Sequence, residues 1–511
     1  MTEIRDLHAF SFILCIDACQ NNGHNKLIDI YASFLTDEAH ATLLSKGISW
    51  SPSPFPKNYQ EKTFIYPSFL RHFKYDSLCL CLDSWYRKLL LNTHDDKLDK
   101  TKKAWALYDY TWFIPLYIEI FKVFLNCGAR FECLDLYSEH YYQFVDHRIL
   151  FELPGIENCL ANLKELSPAA MESLTSIDYY SKLCRNVKSL KIESLRIGES
   201  AISDLIKAQV ALEHIYIGNY LYPYHLTNYT LNSYVYSGQN NDLSLALLTQ
   251  ASSLKSLEIR NLFVNEIPSY KQITWDNLNS LTIYNDTNNN LMKMPFGIKY
   301  FPKLQKLYIK QNTFPTDLID FIRNTKFSLK EIHLILRIQS GNISNVIQCI
   351  SKFCTNLVYF ESTVDFNAIP ALFSLLRSCK NLKHLSISNP FTPYTEDDFR
   401  MLSAFLPSNL RSFTLITNYI DITDESFGIL LQYLCVKLDY LDLSQSKRMS
   451  CRVLDVLLDS AKVNKYRFPK KIIISTNPID YSDKKEKLCK LEDLGIQLLN
   501  DDFLTYCFVC D

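Results

Sequence analysis

The sequence predicts an α/β solenoid with parallel strands on one wall and helices on the other, and three observations carry that prediction. The first is a short phrase, apolar-x-x-apolar-x-apolar, that recurs from Leu163 to Leu443. Clear copies are Val187-x-x-Leu190-x-Ile192, Leu254-x-x-Leu257-x-Ile259, Leu304-x-x-Leu307-x-Ile309, Leu382-x-x-Leu385-x-Ile387 and Leu438-x-x-Leu441-x-Leu443. The second is spacing: successive copies begin 24 to 28 residues apart, with one interval of 42. The third is what lies between copies. Ser203–Val210 and Ile343–Phe353 carry apolar residues at three- and four-residue intervals, which makes one face of a helix. The alternation that ends each phrase is strand periodicity. A strand and a helix within a period of 20–29 residues form the leucine-rich-repeat signature, in which stacking supplies the core that one repeat lacks.

Along the chain, residues 1–110 do not follow the repeat and read as a helical or irregular N-terminal region. Within them Lys26–Lys46 predicts a helix ending at Gly47. Ser51-Pro-Ser-Pro-Phe-Pro56 is a linker, because alternating prolines forbid helix. Thr111–Asn126 predicts a helix that caps the array, followed by a degenerate repeat at Phe131-x-x-Leu134-x-Leu136. The solenoid is expected over 111–475, with Lys471–Ser475 as its last strand. Residues 476–511 are the C-terminal cap, built on a charged amphipathic helix at Ser482–Leu498. Repeats of this length with a full helix suit a strongly curved horseshoe. The 42-residue interval adds 17 residues to its neighbouring interval of 25. They fall between Gly218 and Asp242 as a loop rich in Tyr, Asn and Ser, either padding or part of a binding site.

Composition excludes several classes. A net charge of −1 and a pI near 6.8 argue against a dedicated nucleic-acid or anionic-membrane binder. Only 11 glycines occur in 511 residues and none form Gly-x-Gly, so a phosphate-cradling loop is not expected. No apolar run is long enough to span a bilayer. The segment before Ala9–Ile16 carries Glu3 and Asp6, which does not suit a signal peptide. Sixteen cysteines suggest a disulfide framework, but their positions do not. Cys184, Cys354, Cys379 and Cys435 each stand three residues before a repeat phrase, a slot that Ala251, Trp275 and Phe301 fill elsewhere. A slot shared by those types is a buried apolar corner, where free Cys behaves as a small hydrophobe. The expected compartment is therefore reducing, cytoplasmic or nuclear.

Catalytic and metal constellations are weak. Asp397-Asp398 and Asp424-Glu425 resemble paired carboxylates, yet each follows a Thr at a predicted helix start, where Thr caps and acids favour the helix dipole. Cys507-x-x-Cys510 has no second pair to complete a metal site. No catalytic residue, cofactor or metal ligand is assigned. The informative positions are the third and fifth of each phrase, which point away from the core. There tyrosine, histidine and acids recur: Tyr216, Glu258, Tyr308, His333, Tyr359, Glu361, His384, Tyr440 and Asp442. Tyrosines are effective interface anchors, so these nine form the candidate partner-binding face.

The phrases Cys379-Lys-Asn-Leu-Lys-His-Leu-Ser-Ile387 and Cys435-Val-Lys-Leu-Asp-Tyr-Leu-Asp-Leu443, with the helix start Ile422-Thr-Asp-Glu-Ser-Phe427, resemble the cysteine-containing leucine-rich repeats of F-box proteins. The layout as a whole, including Phe34–Ile48 and the proline run, is similar to fungal F-box/leucine-rich-repeat families. The resemblance implies a substrate-recognition subunit of an SCF-type ubiquitin ligase. A protein substrate would lie on the concave face, and a Skp1-like adaptor would dock on an F-box upstream. Residues 1–33 contain neither Leu-Pro nor Trp, so the F-box is expected to be truncated or missing. The alternative is a repeat interaction protein with no ligase link; neither reading is an enzyme, and neither calls for nucleic acid or membrane.

Overall fold

The structure, a computed structural model, describes residues 23–46, 48, 66–92, 112–137, 147–169, 174–193, 199–218, 241–260, 274–284, 300–310, 315–325, 327–336, 343–388, 395–416, 423–434, 436–443, 452–463, 468–474, 481–494 and 496–500. They divide into two compact units, Met1–Leu254 and Lys255–Asp511. Each is a stack of leucine-rich repeats with parallel strands and helical returns.

In the first unit the strands are β1 (His72–Lys74), β2 (Cys133–Asp135), β3 (Glu165–Ser167), β4 (Ser189–Ile192) and β5 (His214–Gly218). Each pairs in parallel with the next, which aligns Phe73, Leu134, Leu166, Leu190 and Ile215 in one buried row. The helices are α1 (Gly23–Ala32), α2 (Asp37–Ser45), α3 (Tyr75–Asn92), α4 (Phe113–Asn126), α5 (Arg148–Phe151), α6 (Ile156–Leu160), α7 (Leu174–Leu183), α8 (Glu199–Ala208) and α9 (Asn241–Thr249).

Three expectations change here. β1 lies inside the stretch read as outside the repeat. Its phrase, Leu70-x-x-Phe73-x-Tyr75, is fully buried but places aromatics where leucines stand elsewhere. The helix expected over Lys26–Lys46 is two helices. Thr36 accepts a bond from Ala39 N–H at 3.1 Å and so caps a new start, with Asp37 and Glu38 in its first turn. Finally, α4 is not a terminal cap. It buries Phe113, Leu116, Tyr117, Ile120, Phe121 and Phe124, and α1 packs against it through a 4.9 Å edge-to-face contact of Tyr31 with Phe124. Trp85 of α3 donates to Asp29 of α1 at 2.8 Å, so α1 and α2 cover this end.

In the second unit ten strands run parallel and in register: β6 (Ser256–Arg260), β7 (Ser280–Tyr284), β8 (Lys306–Lys310), β9 (Glu331–Leu334), β10 (Tyr359–Thr363), β11 (His384–Ser388), β12 (Ser412–Ile416), β13 (Tyr440–Leu443), β14 (Lys471–Ile474) and β15 (Gln497–Asn500). The helices are α10 (Pro315–Arg323), α11 (Ile343–Phe353), α12 (Ile369–Ser378), α13 (Glu396–Phe405), α14 (Asp424–Gln432), α15 (Val453–Val463) and α16 (Tyr481–Asp493). Leu257, Leu281, Leu307, Ile332, Phe360, Leu385, Phe413 and Leu441 make one fully buried row. In the row behind it, from Ile259 to Leu443, Ser362 is polar, and its hydroxyl donates to the Thr363 carbonyl at 3.0 Å. The array does not end at Lys471–Ser475. The bond from Ile496 N–H to the Leu491 carbonyl, 3.0 Å, turns the chain out of α16, and β15 adds another strand.

The cysteine corners are as expected for Cys184, Cys354 and Cys379, all buried and unbridged. Cys435 and the loop within Gly218–Asp242 lie outside the described residues. Burial pushes the Cys184 and Cys379 thiols up to about 12. In one repeat the same corner holds Gln209, which the apolar-slot reading did not foresee. Its amide oxygen accepts from Val187 N–H at 3.1 Å, and its amide nitrogen donates to the Leu205 carbonyl at 3.1 Å. One repeat later Gln250 accepts from Leu212 N–H and donates to the Ile206 and Gln209 carbonyls. The paired acids are helix starts: Thr395 and Asp398 form a reciprocal capping box, and Thr423 caps Ser426 N–H at 3.1 Å.

Candidate binding face

Alternation along each strand puts the third and fifth phrase positions on the side away from the helices. Burial follows that alternation in β6, β7, β10 and β12, and parallel registration lines up equivalent positions of neighbouring repeats. The fifth-position line therefore runs Tyr308, His333, Glu361, Ser386, Thr414, Asp442 from strand to strand.

The densest part lies on β8–β11. His333 Nδ1 and Glu361 Oε2 are 2.6 Å apart. The imidazole is flanked by Tyr308 on β8, at 5.4 Å between ring centres, and by Tyr359 on β10, stacked at 4.4 Å. Tyr359 stacks in turn with His384 at 5.8 Å, and its hydroxyl donates to Glu361 at 3.5 Å. Five of the nine predicted residues are thus one cluster. Its pieces are half-buried: the His333 and Glu361 side chains keep 23% and 20% of their exposure. Burial, reinforced by the Glu361 charge, pushes the Tyr359 hydroxyl up to about 12. Burial raises Tyr308 as well. Both phenols are neutral donors in the physiological range.

Of the other four predicted residues, the three in the second unit lie apart from that cluster. Tyr440 donates to Asp442 at 3.3 Å on β13, separated from the cluster by Ser412 and Thr414 of β12. Glu258 on β6 is bonded to Arg260 at 2.5 Å. Tyr216 belongs to the first unit, beside Lys191, whose ammonium is 5.8 Å from its ring and pairs with Glu193. Its hydroxyl lies over Gly218, where a Cβ would meet it at 2.7 Å, so a larger residue there would have to push the Tyr216 ring aside.

A second group was missed. Arg260, Tyr284 and Lys310 occupy the same register position one step past the phrase. Lys310 donates to the Tyr284 hydroxyl at 2.9 Å and lies 4.4 Å from its ring centre, and Arg260 lies 5.4 Å from the same ring. The signal was available: the strands run one residue beyond the apolar phrase, and alternation turns that residue outward.

No family model matches the chain, and no curated protein is significantly similar to it. Among solved structures, the leucine-rich-repeat-containing protein LegL7 from Legionella pneumophila is similar over 64% of this chain and 87% of that one, at 13% identity and a TM-score of 0.33. The repeat architecture therefore rests on the registered strands and buried rows described above. Among the described residues no helix is long and apolar enough to cross a membrane, and no group of three or more His, Cys, Asp or Glu side chains could hold a metal.

Proposed function

We propose that this chain is a protein-recognition scaffold whose partner lies on the strand face of the second unit, centred on Tyr308, His333, Tyr359 and Glu361. The observation that carries the reading is the run of adjacent rings Tyr308, His333, Tyr359 and His384, the last three stacked. It presents contiguous aromatic area with donors and a carboxylate on rigid strands, the composition of an interface hot spot. Tyr440 with Asp442 and Glu258 with Arg260 are polar contacts placed further along such a partner.

The test is affinity capture with the full chain and with a Tyr308→Ala, His333→Ala, Tyr359→Ala variant, followed by mass spectrometry of the retained proteins. The variant should lose the specific partner while its melting temperature changes little. Unchanged capture would sink the reading, and so would a collapse of stability, which would make these side chains packing residues.

The resemblance to F-box proteins supports a finer reading, in which the partner is a substrate presented to a cytoplasmic or nuclear ubiquitin ligase. Co-purification with a Skp1-like adaptor tests it. No adaptor with this chain, nor with a version extended upstream, would leave a repeat scaffold with no ligase link.

A further inference from the structure

The second unit carries another surface, at the edge where the chain enters its strands. A depression of about 810 Å³ opens there between the turns that precede β6 to β12. Its lining holds four lysines (Lys255, Lys303, Lys330 and Lys383) and no carboxylate among the described residues. Elsewhere on the same edge, acids from neighbouring repeats neutralise the bases. Arg411 and Lys470 both reach Asp439, at 3.5 and 2.8 Å, and in the first unit Lys188 reaches Glu213 at 3.1 Å. Glu331, next in sequence to Lys330, is held by Lys306 at 2.9 Å. Lys330 and Lys383 are exposed and have no ion-pair partner among the described residues. The exposed side-chain amides of Asn356 and Asn381, between them, are also without a hydrogen-bond partner among those residues.

An independent observation lies in the same depression. Phe327 lines it, is 49% exposed, and has φ of 66°. A bulky residue in the left-handed region is strained, and strain of that kind collects at ligand sites. The backbone conformation would suit Gly or Asn better, yet an aromatic ring faces solvent between lysines. Its ring neighbour among the described residues is Phe353, 6.1 Å away.

We propose that this edge is a second binding site, taking an extended acidic segment of a partner protein with an apolar residue seated on Phe327. This does not depend on the strand-face reading. Charge complementarity selects the occupant: the Lys330 and Lys383 ammonium groups and the Asn356 and Asn381 amides face a groove whose described lining contains no acid. Geometry selects an extended chain. Five strand-to-strand steps from β6 to β11 cover about 24 Å, the reach of about seven extended residues. A net charge of −1 makes the basic groove a local feature and not part of a general polyanion surface.

The experiment titrates the full chain against a fluorescein-labelled decapeptide of alternating Glu and Ser with a central Leu, read by anisotropy at low and high salt. The peptide should bind at low salt, and its Gln-for-Glu counterpart should not. Lys330→Glu with Lys383→Glu should weaken binding about ten-fold or more, because attraction at two contacts becomes repulsion. Lys207→Glu with Lys462→Glu, the same charge change on helices, should alter it less than about two-fold, the residual long-range effect. Phe327→Asn should weaken binding without lowering the melting temperature. The proposal falls if the peptide does not bind, if both double variants lose binding equally, or if polyuridylate displaces the peptide and binds tighter, which would make this a nucleic-acid groove. A Phe327→Asn variant that melts early and binds normally would remove Phe327 from the site.

Discussion

In the Met1–Leu254 unit the early repeats are unequal in length and their core is a cluster of rings; in the Lys255–Asp511 unit the repeats are regular and the buried strand row is mainly aliphatic. Phe73, buried in β1, packs edge-to-face on Phe121 at 5.3 Å and contacts Phe131 at 5.5 Å, while Tyr75 meets Tyr117 at 5.2 Å. In the second unit the equivalent strand positions are Leu281, Leu307 and Ile332, with Phe360 and Phe413 further on, and the buried rings of the same repeats, Trp275, Phe301 and Phe321, stand in the corners and on α10 instead. The difference teaches where outward side chains are released from structural duty. Where the strand row is aliphatic and the rings stand in corners and helices, the strand face is left to tyrosines and histidines. In the early repeats a cluster of rings from β1, α4 and Phe131 fills the unequal spacing by ring-on-ring geometry, with each position depending on its neighbours.

The largest expected effects break that comparison directly. Phe73→Ala should cost about 3–5 kcal/mol and Leu307→Ala about 2–5 kcal/mol, both measured by denaturant unfolding. The sharper pair is Phe73→Leu against Leu307→Met. If the aromatic core depends on edge-to-face contacts worth about 0.5–1.5 kcal/mol each, Phe73→Leu will be clearly the worse. Equal costs below about 1.5 kcal/mol would mean both cores respond only to volume.

The same contrast explains what the sequence made legible. The rows from Leu190 to Leu441 announce themselves because one residue class returns at one period. Leu70-x-x-Phe73-x-Tyr75 obeys the same phrase, yet 61 residues separate Leu70 from Phe131, far outside the period, and aromatics disguise the class. The outward positions of β8–β11 were legible from alternation alone. That His333, Tyr359 and Glu361 bond to each other was not, because it depends on registration between repeats 28 residues apart. Gln209 was hidden for a different reason: a polar side chain in an apolar slot is recognisable only once the buried N–H groups it serves are seen.

The corner residues supply the next test, since the first unit's corners hold amides beside the Cys184 thiol, while Cys354 and Cys379 fill corners of the second. Gln250→Ala strands Leu212 N–H and removes a donor from the Ile206 and Gln209 carbonyls, so it should cost about 1–3 kcal/mol. A cost near zero, in a variant whose fold is unchanged by circular dichroism, would show that water takes over these groups.

The thiol corner gives a pH signature instead. Cys379 is raised from 9.0 to about 12 by burial. A pKa raised in the folded state means the unfolded chain releases the proton first. The stability linked to this thiol is therefore complete below pH 9 and falls as pH rises from 9 toward 12. The slope is about 1.4 kcal/mol per pH unit for each such thiol. Thermal melts from neutral pH upward should show alkaline destabilisation that Cys379→Ala partly flattens. Parallel curves for the two proteins would place this thiol in contact with water.

The smallest effect is the most telling about the strand face. Tyr359→Phe keeps the ring stacked on His333 and His384 and removes only a hydroxyl whose bond to Glu361 is 3.5 Å long, at the limit of the interaction. If the aliphatic row has freed this face from structural work, unfolding free energy should change by less than about 0.5 kcal/mol, as for ordinary surface substitutions. Partner capture should weaken nonetheless, because a neutral donor has been taken from the centre of the proposed interface. A loss of more than about 1 kcal/mol in stability would reverse the argument. The Tyr359–Glu361–His333 cluster would then be a clamp between β9 and β10, and the regular unit would depend on its outer face as the irregular one depends on its rings.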